Sequence, residues 1–314
     1  MIRCNVRLID IVEVVITFER TVRLVIVAYL AALGAAVLWG ASFLLTKVVL
    51  TQLGPMATAG LRWGVAALAL VALSCVTARG RNLLRRALRH HGWTFVGLGL
   101  VGVSLFYTLQ NLALVYTTSV DVGLIMNGVP ILTALLGAWL LGERLTGRAL
   151  LGAVVALVGV TFITLGGLAV ESISMGARLG GDLLAVLATL LAALYTVGGK
   201  RVVMIYDPLT VTTLAGVFGA LMLVPLVAWD GLTLRLTISV WLALLGLALG
   251  SGAAANWLWW SAAHRLPVSR AGAFLYVTPL VSTFLGVVML GEPLTVVTVA
   301  GAGLVIGGVM LVQT

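Results

Sequence analysis

Apolar residues run along this chain in long stretches, broken at intervals by short clusters of Arg, Gly, Pro and Asp. About 20 mostly apolar residues in a helix are needed to cross roughly 30 Å of hydrocarbon. Reading from one polar cluster to the next predicts ten helical spans, at about 24–48, 56–78, 93–114, 119–141, 149–169, 181–203, 209–229, 240–262, 270–290 and 294–313. Arg20 and Arg23 precede the apolar run from Leu24 to Leu38 as they would in a secretory signal. The run continues past Leu38, however, and a mixed leader precedes it, so an uncleaved first span is expected. Residues 1–23 are expected to form an N-terminal cytoplasmic segment.

The basic residues set the orientation. Arg3, Arg7, Arg20 and Arg23 precede the first span, and Arg79, Arg81, Arg85, Arg86 and Arg89 lie between the second and third. Arg144 and Arg148, Lys200 and Arg201, and Arg265 and Arg270 fall in the next three loops on the same side. The loops of the other side hold only Arg178 and Arg235, while Lys47 and Arg62 lie in or beside spans. Basic residues concentrate in cytoplasmic loops, so ten spans with both termini cytoplasmic are expected.

Residues 123–160 match 272–309 at a constant offset, with identities that include Gly123, Pro130, Gly137, Glu143, Thr146, Gly152 and Gly159. LGERLT at 141–146 returns as LGEPLT at 290–295. Five spans per copy is an odd number, so the second copy must lie inverted in the membrane. The charges agree, since each copy carries its basic residues at the opposite end. The fold class expected is therefore all-α integral membrane, with ten transmembrane helices as two inverted five-helix repeats, residues 24–169 and 170–314. Inverted repeats of this kind place a site near the midplane of secondary transporters and supply two packings for alternating access.

Composition sharpens this picture by exclusion. The chain is 61% hydrophobic and 9% charged, with a mean hydropathy of +1.18, where a soluble domain carries about a quarter charged residues. The net charge of +9 resides mostly in the loops on one side, so RGRNLLRRALRHH at 79–91 reads as a topology determinant touching headgroups, and no nucleic-acid partner is expected. Cys4 and Cys75 make no disulfide framework, and Cys75 reads as a small core residue. His90, His91 and His264 show no metal spacing, so neither an enzyme nor a metal or other cofactor is expected. The bilayer and a small-molecule substrate are the expected partners, with monomer and homodimer left open.

The run ALVYTTSVDVGLIMNGVPILTALLGAWLLGERLTGRALLGAVVALVGV at 113–160 resembles the EamA-type repeat of the drug/metabolite transporter superfamily. RLPVSRAGAFLYVTPLVSTFLGVVMLGEPLT at 265–295, LWGASFLLTK at 38–47 and LRWG at 61–64 resemble it as well. The resemblance implies a ten-helix exporter fold for amino acids, other small metabolites or drugs.

Polar and aromatic residues inside spans supply the candidate substrate contacts, because an amide or hydroxyl in lipid must find a partner in the bundle or a wet cavity. Trp39 and Phe43 share a face of the first span with Ser42 beside them. Tyr107 and Asn111 do so on the third span, and Asn256 and Trp260 on the eighth. Asn127 precedes Pro130 by one turn, as Tyr276 precedes Pro279, and Tyr195 on the sixth span joins the set. Arg62, several residues into the second span, needs a partner for its guanidinium, and a substrate carboxylate, a carbonyl or water reached by snorkelling would serve. Pro130, Pro279, Glu143 and Glu292 read as structural or gating residues, each glutamate capping the next helix start in preference to coupling a proton. Trp93, Trp229 and Trp241 read as interface anchors, and Gly246/Gly250 and Gly303/Gly307 as close-packing pairs. With no carboxylate clearly at the midplane, facilitated or exchange-type export is expected. A proton-coupled drug exporter and a non-transporting membrane receptor or structural protein are the alternatives.

Overall fold

The computed structural model describes residues 8–116, 122, 125–165, 175–232, 235–290 and 296–313, and all regular structure among them is helical. In chain order the α-helices are α1 Leu8–Val49, α2 Pro55–Cys75, α3 Ala78–Gly99, α4 Phe106–Tyr116, α5 Val129–Leu141, α6 Gly147–Leu165 and α7 Met175–Val203. They continue with α8 Pro208–Asp230, α9 Ile238–Leu245, α10 Ala255–Arg265, α11 Val268–Ala273, α12 Val277–Leu290 and α13 Val296–Gln313. Wider π-helical turns, Leu100–Leu105 and Gly246–Ala254, join α3 to α4 and α9 to α10. A tight 3₁₀ turn at Phe274–Tyr276 joins α11 to α12. Seven of the described helical stretches are long and apolar enough to cross a membrane, and three shorter apolar helices, Val129–Leu141, Gly147–Phe162 and Val299–Gln313, accompany them.

Local chemistry explains the boundaries. Pro55 and Pro208 open α2 and α8 in the first turn, where a missing N–H costs nothing. Asp207 caps α8 by accepting from Thr210 N–H at 3.0 Å, and Thr77 caps α3 through Gly80 N–H. Gly142, at φ 69°, ends α5 in the left-handed region that favours glycine.

The correspondence between the halves extends beyond residues 123–160 and 272–309. Pro55 and Pro208 are 153 residues apart, and at that offset Leu61, Ala67, Leu70 and Leu73 of α2 match Leu214, Ala220, Leu223 and Leu226 of α8. The offset of 149 found between residues 123–160 and 272–309 also superposes the end of one π-helical segment, Leu105, on the end of the other, Ala254. Hence Tyr107 corresponds to Asn256 and Asn111 to Trp260.

A close helix crossing joins α6 to α13, the last helix of each half. A Cβ on Gly152 would lie 2.7 Å from Gly308 O, and one on Gly159 would lie 2.6 Å from Gly301 O. Gly152 and Gly301 are repeat equivalents, as are Gly159 and Gly308, so the two helices meet across the internal pseudo-symmetry. Gly303 and Gly307, expected to pack, face open space instead. Spacing by four identifies a face of small residues, but which face meets a neighbour is set by the partner helix.

Three other features depart from the expected pattern. The first helix begins at Leu8, so part of the leader continues α1 without a break. Its exposed Glu19 and Arg23 pair at 2.7 Å. The arginine-rich segment after α2 is the amphipathic first part of α3, which bends at His91 (φ −136°, ψ 27°) before entering the bundle. Leu84 and Ala87 of that segment are buried while Arg79, Arg85, Arg86 and Arg89 are exposed. Trp93 and Trp229 are exposed, as suits lipid-facing anchors, whereas Trp241 is half-buried.

Candidate functional site

A polar and aromatic cluster forms where α1, α2, α4, α7 and α10 approach the two π-helical turns. The i→i+5 bond from Ala255 N–H to Gly250 O marks where the second π-turn reverts to ordinary winding. The neighbouring carbonyl, Ser251 O, accepts two side-chain donors: Trp39 Nε1–H at 3.1 Å and Asn256 Nδ2–H at 3.1 Å. Asn256 also donates to Gly252 O at 2.9 Å. π-Turns inside helices often mark functional sites because they free backbone groups in this way. Trp39 further packs on Trp259, with ring centroids 5.7 Å apart.

Glycines make room for the aromatic rings. Tyr195 lies against Gly102 of the first π-turn, where a Cβ would fall 2.0 Å from its ring, and Trp260 lies equally close to Gly199. The two rings meet edge to face at 5.1 Å, and Trp260 Nε1–H donates to the Tyr195 hydroxyl at 3.2 Å. On the α2 side, Tyr107 stacks edgewise on Trp63 at 5.8 Å, and the Arg62 guanidinium lies 5.0 Å above the Tyr107 ring. A Cβ on Gly252 would lie 3.0 Å from Ala66 Cβ and 3.7 Å from Arg62 O, which joins this group to the Trp39–Asn256 group.

Trp39, Arg62, Tyr107, Tyr195, Asn256 and Trp260 are thus gathered around two bulged spans. Ser42 is buried beside them and bonds back to Trp39 O at 2.7 Å. Asn111 turns elsewhere, donating to Pro55 O at 2.9 Å at the start of α2. Tyr276 is fully buried but packs with Ala153, Val160 and Val305 of α6 and α13. It lines a narrow, mostly apolar cleft with Pro130, Ala149, Ser269 and Val312. Asn127 lies half-buried in the turn ahead of α5. Phe43 belongs to α1, but its side chain lies outside the described residues, as does Glu292. Pro130 opens α5 after a break at Asn127–Gly128, and Pro279 follows the 3₁₀ turn of α11–α12. Both broken spans are therefore interrupted at equivalent places.

Carboxylates hold the two ends of the bundle. At one end, Asp230 accepts from Met56 N–H and Ala57 N–H at 3.0 and 2.9 Å, capping α2 from the last residue of α8. Gln52 and Thr237 exchange two hydrogen bonds nearby, at 3.0 and 2.9 Å. At the opposite end, Glu143 accepts from Val268 N–H at 2.8 Å and from Ser269 N–H and Oγ–H at 3.4 and 3.3 Å. It caps α11, in the other half of the chain, and not the helix that follows it in sequence. Lys200 Nζ donates to Ala263 O and to Leu266 O, and Arg201 donates to Leu140 O, each at a helix C-terminus. Sequence reasoning passed over Asp230, Lys200 and the seating glycines Gly102 and Gly199. Their roles depend on partners far away in the chain, and only the run of glycines in 246–254 hinted at irregular winding. Among the described residues no group of three His, Cys, Asp or Glu side chains could hold a metal ion.

Broken and bulged helices, related by an internal repeat and converging on buried polar groups, define a multi-pass membrane protein of the transporter class. The chain belongs to the EamA-like transporter family, whose model matches residues 26–165 and again 179–314. It is 30% identical over 286 residues to the uncharacterized transporter YyaM of Bacillus subtilis, covering 90% of this chain and 92% of the relative. It is also 30% identical over 285 residues to a protein named "Probable terminal-alkyne amino-acid exporter" from Streptantibioticus cattleyicolor, covering 88% and 90%. A protein of known crystal structure shares the fold with a TM-score of 0.79 at 24% identity, over 90% of this chain and 95% of that one.

Proposed function

We propose that this chain is a secondary transporter of ten spans with both termini in the cytoplasm, exporting amino acids or similar small metabolites by alternating access. The carrying observation is the pairing of π-turns at equivalent positions of the two halves around one cluster containing Trp39, Arg62, Tyr107, Tyr195, Asn256 and Trp260. A pseudo-symmetric pair of irregular spans can exchange conformations so that the same groups face first one side and then the other. The Glu143 end is then cytoplasmic and the Asp230 end external. The exporter name carried by the Streptantibioticus relative supports amino acids as the first substrates to try. Glu143, Asp207 and Asp230 all hold helix N-termini, which favours exchange without an obligatory proton.

The test is counterflow in proteoliposomes loaded with a panel of amino acids and small amphipathic metabolites, with and without a proton gradient. Saturable, selective exchange without a gradient is expected. Trp39→Ala and Asn256→Ala should each slow it by about tenfold, the equivalent of ~1.4 kcal/mol. Full activity in both variants, from folded protein, would remove this cluster from the pathway, and flux only with a gradient would replace exchange by proton coupling.

A further inference from the structure

Among the described residues Arg62 is the only buried side chain carrying a full charge, at 8% exposure. Its Nε has no hydrogen-bond partner, and no ion pair reaches it among the described residues. Among the described residues Asp230 is committed to the α2 N-terminus, Glu143 to α11 and Asp207 to α8. The Tyr107 ring covers one face of the guanidinium, a contact that orients the cation without neutralising it. Snorkelling accounts poorly for the position, because the side chain keeps only 8% exposure with the Tyr107 ring over its guanidinium.

The fold itself has no need of a charge here. At the offset that relates α2 to α8, Arg62 corresponds to Ala215, which is fully buried. One half of the chain packs this helix position with a methyl group, and the other spends a guanidinium on it. A buried cation without a protein counter-ion is costly, so the asymmetry points to a partner that arrives from outside.

We propose that Arg62 anchors a substrate carboxylate, and that the site recognises the acid group alone. The substrate class is a monocarboxylate with an apolar or aromatic body, and the ammonium group of an amino acid is dispensable. A planar carboxylate matches the guanidinium edge in a two-point contact, while the half-buried Tyr107 and Trp39 supply aromatic surface. A phosphate, with its greater charge, would call on further cations or a free helix N-terminus, and that of α2 is already occupied by Asp230. The inference rests on the transporter reading for flux, but binding tests it separately.

The experiment measures binding to purified full-length protein by calorimetry, with 3-phenylpropionate, phenylalanine, 2-phenylethylamine and methyl 3-phenylpropionate as probes, and 4-methylpentanoate with leucine as an aliphatic set. Both acids and both amino acids are expected to bind with similar affinity. The amine and the neutral ester should bind at least about tenfold more weakly, in keeping with the strength of hydrogen bonds to charged groups. Arg62→Gln should lose about tenfold for every acid, and Arg62→Lys less, because it keeps the charge without the fork. The amine or the ester binding as tightly as 3-phenylpropionate would overturn the proposal, and those probes need no variant to fold. So would unchanged affinity in Arg62→Gln, or no binding by any acid of either set. Arg62-dependent binding without counterflow would overturn the transporter reading and keep the anchor. Counterflow indifferent to Arg62 would do the reverse.

Discussion

Gly308→Leu will unfold or strongly destabilise this protein, whereas Gly303→Leu on the same helix will melt like the parent. A Cβ at Gly308 would meet Ala156 N at 2.5 Å and Gly152 O at 2.6 Å, and both are backbone atoms that cannot turn aside. Overfilling a well-packed contact costs about 1–3 kcal/mol when side chains can adjust, and here helices α6 and α13 must separate. Without a hydrophobic driving force in lipid, helix association depends on such close packing. The expected loss is therefore at or above the top of that range. Gly159→Leu, at the equivalent place on α6, should behave as Gly308→Leu does, since its Cβ would meet Gly301 O and Val305 N. Thermal melting in detergent, with a size-exclusion profile at each temperature, reads all three. Equal melting of Gly308→Leu and Gly303→Leu would show that the α6–α13 crossing is not where the structure puts it.

The same helix illustrates what a sequence can and cannot carry. Gly152 and Gly159 stand out in it because they recur at a fixed offset in an otherwise apolar stretch, yet nothing local distinguishes Gly301 and Gly308, which pack, from Gly303 and Gly307, which do not. Helix periodicity places residues on a common face, but the partner's position decides which face is buried. Likewise Tyr107, Asn111, Asn256 and Trp260 were legible as intramembrane polar and aromatic pairs, because such residues are rare in an apolar span. The π-turns that bring Asn256 and Trp39 to one carbonyl were not, since extra winding leaves no mark in residue type beyond glycine content. Tyr276 shows a different limit. Repeat alignment paired it with Asn127, but the 3₁₀ turn at Phe274–Tyr276 winds more tightly than an α-helix, and the ring packs with Ala153, Val160 and Val305 of α6 and α13. Glu143 was readable as a cap from its place at a turn. Its target, α11, was not, because 125 residues separate Glu143 from Val268.

Those long-range caps carry the other large effect, which is a change in which side of the protein is open. Asp230 ties α2 to α8 at one end, and Glu143 ties α5 to α11 at the other, so each carboxylate joins one half of the chain to the other half. A hydrogen bond to a charged group contributes about 1.5–3 kcal/mol, and each ~1.4 kcal/mol shifts a two-state population tenfold. Removing one latch should therefore favour opening at that end by about tenfold to a hundredfold, provided the opposite latch stays in place. The reporter is a cysteine at Ser42, buried beside Trp39 in the cluster, in a background with Cys4 and Cys75 changed to serine. A membrane-impermeant maleimide is applied to either face of oriented vesicles. Asp230→Ala should accelerate labelling from the Asp230 face, and Glu143→Ala from the Glu143 face. Gly54→Val supplies an independent route to the first result. A Cβ at Gly54 would fall 2.2 Å from Asp230 Oδ2, so the larger side chain displaces the carboxylate without removing its charge. Asp230→Ala and Gly54→Val opening the same face, and Glu143→Ala the opposite one, would make the two caps the gates of one alternating cycle. Equal labelling from both faces in every variant would reduce them to helix caps with no part in access.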